Sequence, residues 1–209
     1  MLNADIFLII FGIYSHKFIK MKITKNISLV LFICGTLLTG CSSDDNDETA
    51  VEIGTLKTFK DVAFSLDYSE GFDAGRFFST ETGKSYKKSQ INAEVLSKID
   101  IAFYGTASNS FAYFLSPNDS ENGVTGAKTT DYVNYVTDEF TVEQFNKIEK
   151  GEDLADLIIT DDDESFSTDQ LPRLVLFKNA AGKKGVIYVK SFHRVGFNPR
   201  IVVDIKVQK

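Results

Sequence analysis

The chain has no tryptophan, and among its 209 residues it has only two cysteines, two histidines and two methionines. Each scarcity removes a class of chemistry. Cys34 and Cys41 both fall in or at the end of an apolar N-terminal run that reads as a signal segment. If the chain is cut before Cys41 and that thiol is modified, no free thiol remains. Disulfides, cysteine-based zinc sites and cysteine nucleophiles are then excluded, even in an oxidising compartment. His16, Met1 and Met21 leave with the same segment, so His193 stands alone. That excludes multi-histidine zinc sites and makes any Ser-His-Asp triad depend on His193. The lack of tryptophan weakens a sugar-stacking platform without removing it, because tyrosine stacks as well. Positive charge is also in deficit, with 23 Lys and Arg against 29 Asp and Glu and a net charge of -6. This balance argues against nucleic acid, whose phosphates demand Lys/Arg-rich surfaces. It argues equally against adsorption to anionic lipid headgroups.

What is present begins at Met21. Lys22 and Lys25 form a positive n-region, and residues 27–38 form an apolar stretch. A membrane-spanning helix needs ~20 residues, so a run this short matches a signal-peptide h-region instead. It ends in Leu38-Thr39-Gly40-Cys41, which resembles a bacterial lipobox, with small residues suited to the narrow cleft of a signal peptidase. The resemblance implies a diacylglyceryl group on the Cys41 thiol, cleavage before it, and acylation of the new N-terminus with chains such as palmitate. At ~0.8 kcal/mol per buried methylene, three acyl chains make an effectively permanent anchor. Residues 1–20 hold a second apolar run, 6–14, too short to span, and read as an upstream extension ahead of a true start at Met21. Removing the first 40 residues takes away four lysines and one acid, which moves the net charge from -6 to -9. Residues 41–51 then form an acidic tether in which Asp44, Asp45, Asp47 and Glu48 repel one another. That tether resembles the acidic export signal of Bacteroidota surface lipoproteins, which implies a place on the outer face of the outer membrane.

From residue 52 to 209 the pattern predicts one mainly β domain, an antiparallel β-sandwich-like fold with a short helical insertion. Val62, Phe64, Leu66 and Tyr68 alternate with Ala63, Ser65 and Asp67, the period of a half-buried strand. Residues 76–79 and 85–86 flank a turn in which Gly83 supplies a positive φ. Strands follow at 99–104 and 111–115, then a hairpin at 174–178 and 185–192, and a last strand at 201–207. The helix is predicted near 141–158: Thr141 is its N-cap, Gln144 completes a capping box, and Gly151 ends it. A second short turn at 152–158 packs Leu154, Leu157 and Ile158 beside it. Residues 118–130 and 161–170 read as polar loops.

Candidate sites are few. Asp161 and Asp163 lie in an acidic run that could offer oxygens to Ca²⁺, a hard cation. Counted as an EF-hand loop from Asp161, however, Phe166 stands where the turn glycine belongs and Pro172 where the bidentate glutamate belongs. A solvated loop is the simpler reading. His193, beside Arg194, is the one candidate haem or metal ligand among histidines. Tyr132 and Tyr135 flank Val133-Asn134 in a loop-like stretch where exposed rings could meet a ligand. No glycine-rich phosphate loop is present, and nothing selects two carboxylates as a glycosidase pair.

Residues 75–84, followed by Ile99-Asp100-Ile101-Ala102-Phe103, resemble the strand, Thr-Gly-Lys and Asp-hydrophobic-Ala-Phe opening of HmuY-type haem-binding lipoproteins. Residues 177–183 resemble their C-terminal hairpin. The resemblance covers two patches of the domain and implies a β-rich lipoprotein that binds a haem-like ligand. That family grips iron with paired His or Met side chains, and here only His193 is left. The expectation is therefore a non-enzymatic binding module at the cell surface that requires no cofactor, with haem or another nutrient as its ligand. A structural or adhesion lipoprotein contacting a partner protein is the alternative. The expected partners are the outer membrane, through the anchor, and a surface partner such as a TonB-dependent receptor, with no nucleic acid.

Overall fold

A computed structural model describes residues 51–67, 74–136 and 140–209, with backbone alone over 51–53. The upstream extension, the signal segment, Leu38, Thr39, Gly40, Cys41, the acidic tether up to residue 50, and Tyr68 lie outside the described residues. All described residues belong to one compact unit. Among them, no helix is long and apolar enough to cross a membrane.

Two antiparallel sheets carry the fold. The larger is built from β1 (Val51–Ile53), β2 (Leu56–Ser65), β7 (Thr130–Val133), β9 (Arg173–Asn179), β10 (Lys184–His193) and β11 (Arg200–Gln208). Their order is β1-β2-β11-β10-β9-β7. The smaller has β3 (Phe77–Ser79), β4 (Lys84–Tyr86), β5 (Ile101–Gly105), β6 (Phe111–Leu115) and β8 (Phe166–Ser167), in the order β4-β3-β5-β6-β8. The protein is thus mainly β, with two stacked sheets, as the alternating sequence predicts.

Alternation decides which side chains meet between the sheets. Ile201, Val203, Ile205 and Val207 of β11 point inward, as do Ile187 and Val189 of β10 and Phe177 of β9. They face Phe78, Ile101, Phe103, Phe114 and Phe166 from the smaller sheet. Val186 shows why β10 is buried on both faces: its outward side is covered by Phe145, Ile148 and Leu154. The outer face of the smaller sheet is covered in turn, with Phe77, Ala102 and Leu115 packed near Val95 and Leu96 of the short helix α1 (Ala93–Leu96). Asn92 caps α1 by accepting from the N–H groups of Glu94 and Val95, both at 3.0 Å.

Two glycines are required by geometry. Gly83 turns the β3–β4 hairpin at φ 69°, a conformation that side chains with a Cβ rarely adopt. Gly185 lies on β10 under the ring of Phe177, where a Cβ would come within 2.3 Å of ring carbon.

The insertion helix α2 (Val142–Lys147) has the predicted capping box: Gln144 N–H donates to Thr141 Oγ1 at 3.3 Å, and Thr141 N–H to Gln144 Oε1 at 2.6 Å. Its last carbonyls are held by Lys206, whose Nζ donates to Phe145 and Ile148 at 2.9 and 2.8 Å. Thr141→Ala is expected to cost about 1 kcal/mol in urea unfolding, as other lost N-caps do. Loss of the cap matters here because α2 carries the Phe145 that covers Val186.

Several sequence expectations change. Ile158, expected to pack beside the helix, is instead exposed. β2 begins at Leu56, ahead of the predicted start, because Lys60 and Asp61 form a bulge that interrupts the period. Asp61 sits there at φ 60°, its N–H donating to Asp204 Oδ1 at 2.9 Å. Gly151 opens a 3-10 turn, Gly151–Leu154, and the helix has already ended before it. The loop at 161–170 contains β8. Finally, Tyr132 belongs to a strand, β7, in which Thr130 and Tyr132 are buried against the core and Asp131 and Val133 are half-buried, and is no loop residue.

Candidate functional site

β7 is the outermost strand of the larger sheet, bonded to β9 on one side only. An exposed strand edge of this kind invites pairing with another chain. Here the acidic run closes it. The Tyr132 N–H donates to Asp161 Oδ1 at 2.8 Å, and the Asn134 N–H to the two oxygens of Asp162 at 3.1 and 3.0 Å. The Asp162 N–H donates back to the Tyr132 carbonyl at 2.9 Å. Side-chain carboxylates thus stand in for a neighbouring strand. The amide of Asn134, itself buried, bridges to the other sheet: its oxygen accepts from Phe114 N–H at 2.7 Å and its nitrogen donates to the Phe114 carbonyl at 2.9 Å.

Between the acidic run and β6 lies a groove of about 370 Å³, lined by Tyr113, Ser116, Asp119, Glu121, Asn134 and residues 161–165. Six of its lining residues are carboxylates and none is Lys, Arg or His. The Tyr113 hydroxyl donates to Glu121 Oε2 at 2.7 Å. Its ring stacks on Tyr104 of β5 with centroids 4.8 Å apart and planes 19° apart. The Arg76 guanidinium lies over Tyr104, 5.5 Å from its centroid. A groove of this composition repels anions. It offers acceptors and one aromatic wall to a cationic or hydroxyl-rich ligand.

The residues singled out from the sequence are dispersed. Asp161 spends one oxygen on the β7 backbone, and Asp163 is exposed beside it. Among the described residues, no group of three or more His, Cys, Asp or Glu is placed to hold a metal ion. Tyr132 is 1% exposed, and its hydroxyl donates to the Asp100 carbonyl at 3.2 Å. Burial first, and then the Asp100 charge, push its phenol well above the ordinary range. It therefore stays protonated and cannot serve as a phenolate ligand, which corrects the expectation of an exposed ring. Tyr135 is half-exposed, with the Arg173 guanidinium 5.6 Å from its ring centroid. His193 is exposed at the end of β10, its Nε2 3.1 Å from Ser191 Oγ. Tyr132 lies opposite Phe177, which lies opposite Gly185. His193 is eight residues farther along β10, roughly 26 Å at strand rise. The residues present do not fit a haem held by two axial ligands.

Sequence reasoning missed Asn134 and Tyr113, and reached Asp162 and Glu121 only as members of acidic runs at 160–167 and 118–123, each a loop or turn first and an ion site second. The one available signal was the position of three consecutive aspartates shortly before a strand. Nothing local says which backbone N–H groups they accept from.

The chain matches no family model, no curated protein and no solved structure.

Proposed function

We propose that the protein is an outer-membrane surface lipoprotein that works as a non-enzymatic binding module, a divergent relative of the haem- and nutrient-binding lipoproteins of the HmuY type. The observation that carries this reading is the run from Lys22 through the apolar 27–38 stretch to Leu38-Thr39-Gly40-Cys41, followed at once by four acids in five positions. The two-sheet scaffold is consistent with it, since rigid β-sandwiches commonly present ligands to loops and edges. In this reading the nutrient sits in the tyrosine-walled acidic groove and is cationic or rich in hydroxyls. Haem is the version tied to His193.

Metabolic labelling with a fatty-acid analogue should mark the protein, and Cys41→Ala should abolish the label together with sedimentation in the outer-membrane fraction. Equal labelling of the variant would sink the anchor. Protease shaving of intact cells should remove the domain if it faces outward. Haemin titration followed by absorbance tests the ligand: a Soret shift lost in His193→Ala assigns haem to that residue. No shift, or one the variant leaves unchanged, removes the His193-ligated version.

A further inference from the structure

The β10–β11 connection, residues 194–199, leaves Val195 94% exposed and Phe197 91% exposed. Single exposed apolar side chains are ordinary, but two on one hairpin tip are not the only ones at this end. Phe111, at the start of β6, is 60% exposed. Three connections meet there. The Thr168 N–H donates to the Ser110 carbonyl at 2.9 Å, which ties the β8–β9 loop to the β5–β6 loop. Asp169 Oδ1 lies 3.6 Å from Arg194 Nη2, which ties it to the β10–β11 loop.

Charge separates this part of the chain from the rest. Residues 185–203, from β10 through the loop into β11, contain no Asp or Glu and carry Lys190, Arg194 and Arg200, in a protein with 29 acids. Lys190 is neutralised by Asp61 and Asp204, at 2.5 and 2.6 Å. Arg194 and Arg200 frame the apolar tip, and Arg200 donates to the Asn198 carbonyl at 3.1 Å. The acidic balance of the whole chain argues against broad adsorption to a membrane, but it does not describe this loop.

The path of the chain supplies the second observation. Val51 lies opposite Thr58 and Ile53 opposite Leu56, so β1 starts on the Ser65 side and runs away from that end of β2. Ser65 lies opposite Arg200, so that end is the one bearing the β10–β11 loop. From Thr58 to Ser65 is about 23 Å at strand rise. Cys41 precedes Val51 by ten residues, a contour of at most about 35 Å. A bilayer holding an acylated Cys41 is therefore within reach of the loop.

We propose that the β10–β11 loop is a membrane-contacting loop. Val195 and Phe197 enter the interface of the bilayer that holds the Cys41 anchor, and Arg200 meets its phosphate headgroups, while Arg194 stays paired with Asp169 and stacked over Phe192. This rests on the lipid-anchor reading above. The acyl chains retain the protein, and the loop fixes which end of the sandwich faces the lipid.

Because the chain has no tryptophan, Phe197→Trp installs a single reporter, and Ala181→Trp, in the β9–β10 turn at the other end of β10, is its control. Each mature lipoprotein is reconstituted into phosphatidylethanolamine–phosphatidylglycerol vesicles with brominated acyl chains. The Phe197→Trp protein should float with the vesicles, emit to the blue of the control, and be quenched by bromine at least threefold more. Adding Val195→Asp to the reporter protein should remove most of that difference while flotation persists. Flotation with equal quenching of the two reporters would overturn the loop contact and leave the anchor standing. Failure to float would overturn the anchor and the loop contact together. A reporter unquenched in vesicles but shielded from iodide in native outer membrane would assign the loop to a protein partner, and overturn the lipid contact.

Discussion

Phe64→Ala is expected to lower the unfolding free energy by about 3–5 kcal/mol, the range for truncating a fully buried phenylalanine. Phe64 is 0% exposed. Its ring lies on β2 of the larger sheet but meets three rings of the smaller one: Phe78 at 6.4 Å, Phe103 at 5.9 Å and Phe114 at 5.5 Å between centroids. Two of these contacts are edge-on, a geometry worth ~0.5–1.5 kcal/mol beyond area burial. Phe59 extends the same cluster, 5.1 Å from Phe78. Alanine at 64 would leave a void between the sheets that rigid neighbours on three strands cannot collapse to fill. A domain of this size should lose about 10 °C or more in Tm. Phe111→Ala, on an exposed ring, should change stability by less than about 0.5 kcal/mol. Urea unfolding of both variants checks the pair. A Phe64→Ala loss near that of Phe111→Ala would mean that the sheets do not share this core.

The strands with unbroken alternation were readable from sequence, and those whose period is disturbed were not. β6 falls at the predicted residues, and β11 within one residue at each end, because Ile201, Val203, Ile205 and Val207 recur without interruption. β2 was read short because its bulge places Lys60 and Asp61 where one residue would keep the period. β7 was invisible for a different reason. Its apolar neighbours are few, and its edge is satisfied by Asp161 and Asp162, far along the chain. Short polar strands closed by side chains leave no periodic trace. The acidic run was recognised, but its reading as a cation loop or a solvated loop left out the backbone donors of Tyr132 and Asn134 that it accepts from. α2 was legible because capping is local: Thr141 and Gln144 are three residues apart in sequence as in space. The acidic groove needs β6, β7 and the 161–165 segment together, and no local pattern encodes that meeting.

Asp100 follows the same logic, and its removal should rank with the loss of a core ring. The sequence pattern places it within a strand at 99–104; it lies instead just ahead of β5, 4% exposed. Its carboxylate accepts from the Thr80 N–H at 2.8 Å, from the Thr80 hydroxyl, and from Asn179 Nδ2 at 2.9 Å. Its carbonyl accepts from Thr130 Oγ1 at 2.6 Å and from the Tyr132 hydroxyl. Three segments, from both sheets, thus converge on one residue. Asn179 in turn orders the β9–β10 turn, its oxygen accepting from the N–H groups of Ala181 and Lys183. Asp100→Ala strands the Thr80 and Asn179 donors in a dry site, while Thr130 and Tyr132 keep their carbonyl acceptor, at a cost of about 2–4 kcal/mol. Burial raises the Asp100 pKa, while the hydrogen bonds from Thr80 and Asn179 oppose the rise without cancelling it. The folded protein therefore holds this proton more tightly than the unfolded chain does. The contribution is fullest below the ordinary aspartate value of 3.8, and it is lost as pH rises through the raised folded value. The exposed Glu94, Glu143, Glu152 and Asp153 have lowered values and respond in the opposite sense, but they are common to both proteins. The stability gap between the parent and Asp100→Ala should accordingly be wider near pH ~4 than near pH ~8. A gap that widens towards alkaline pH would mean that Asp100 is held by its partners as a stabilised anion, and that the burial cost is not dominant.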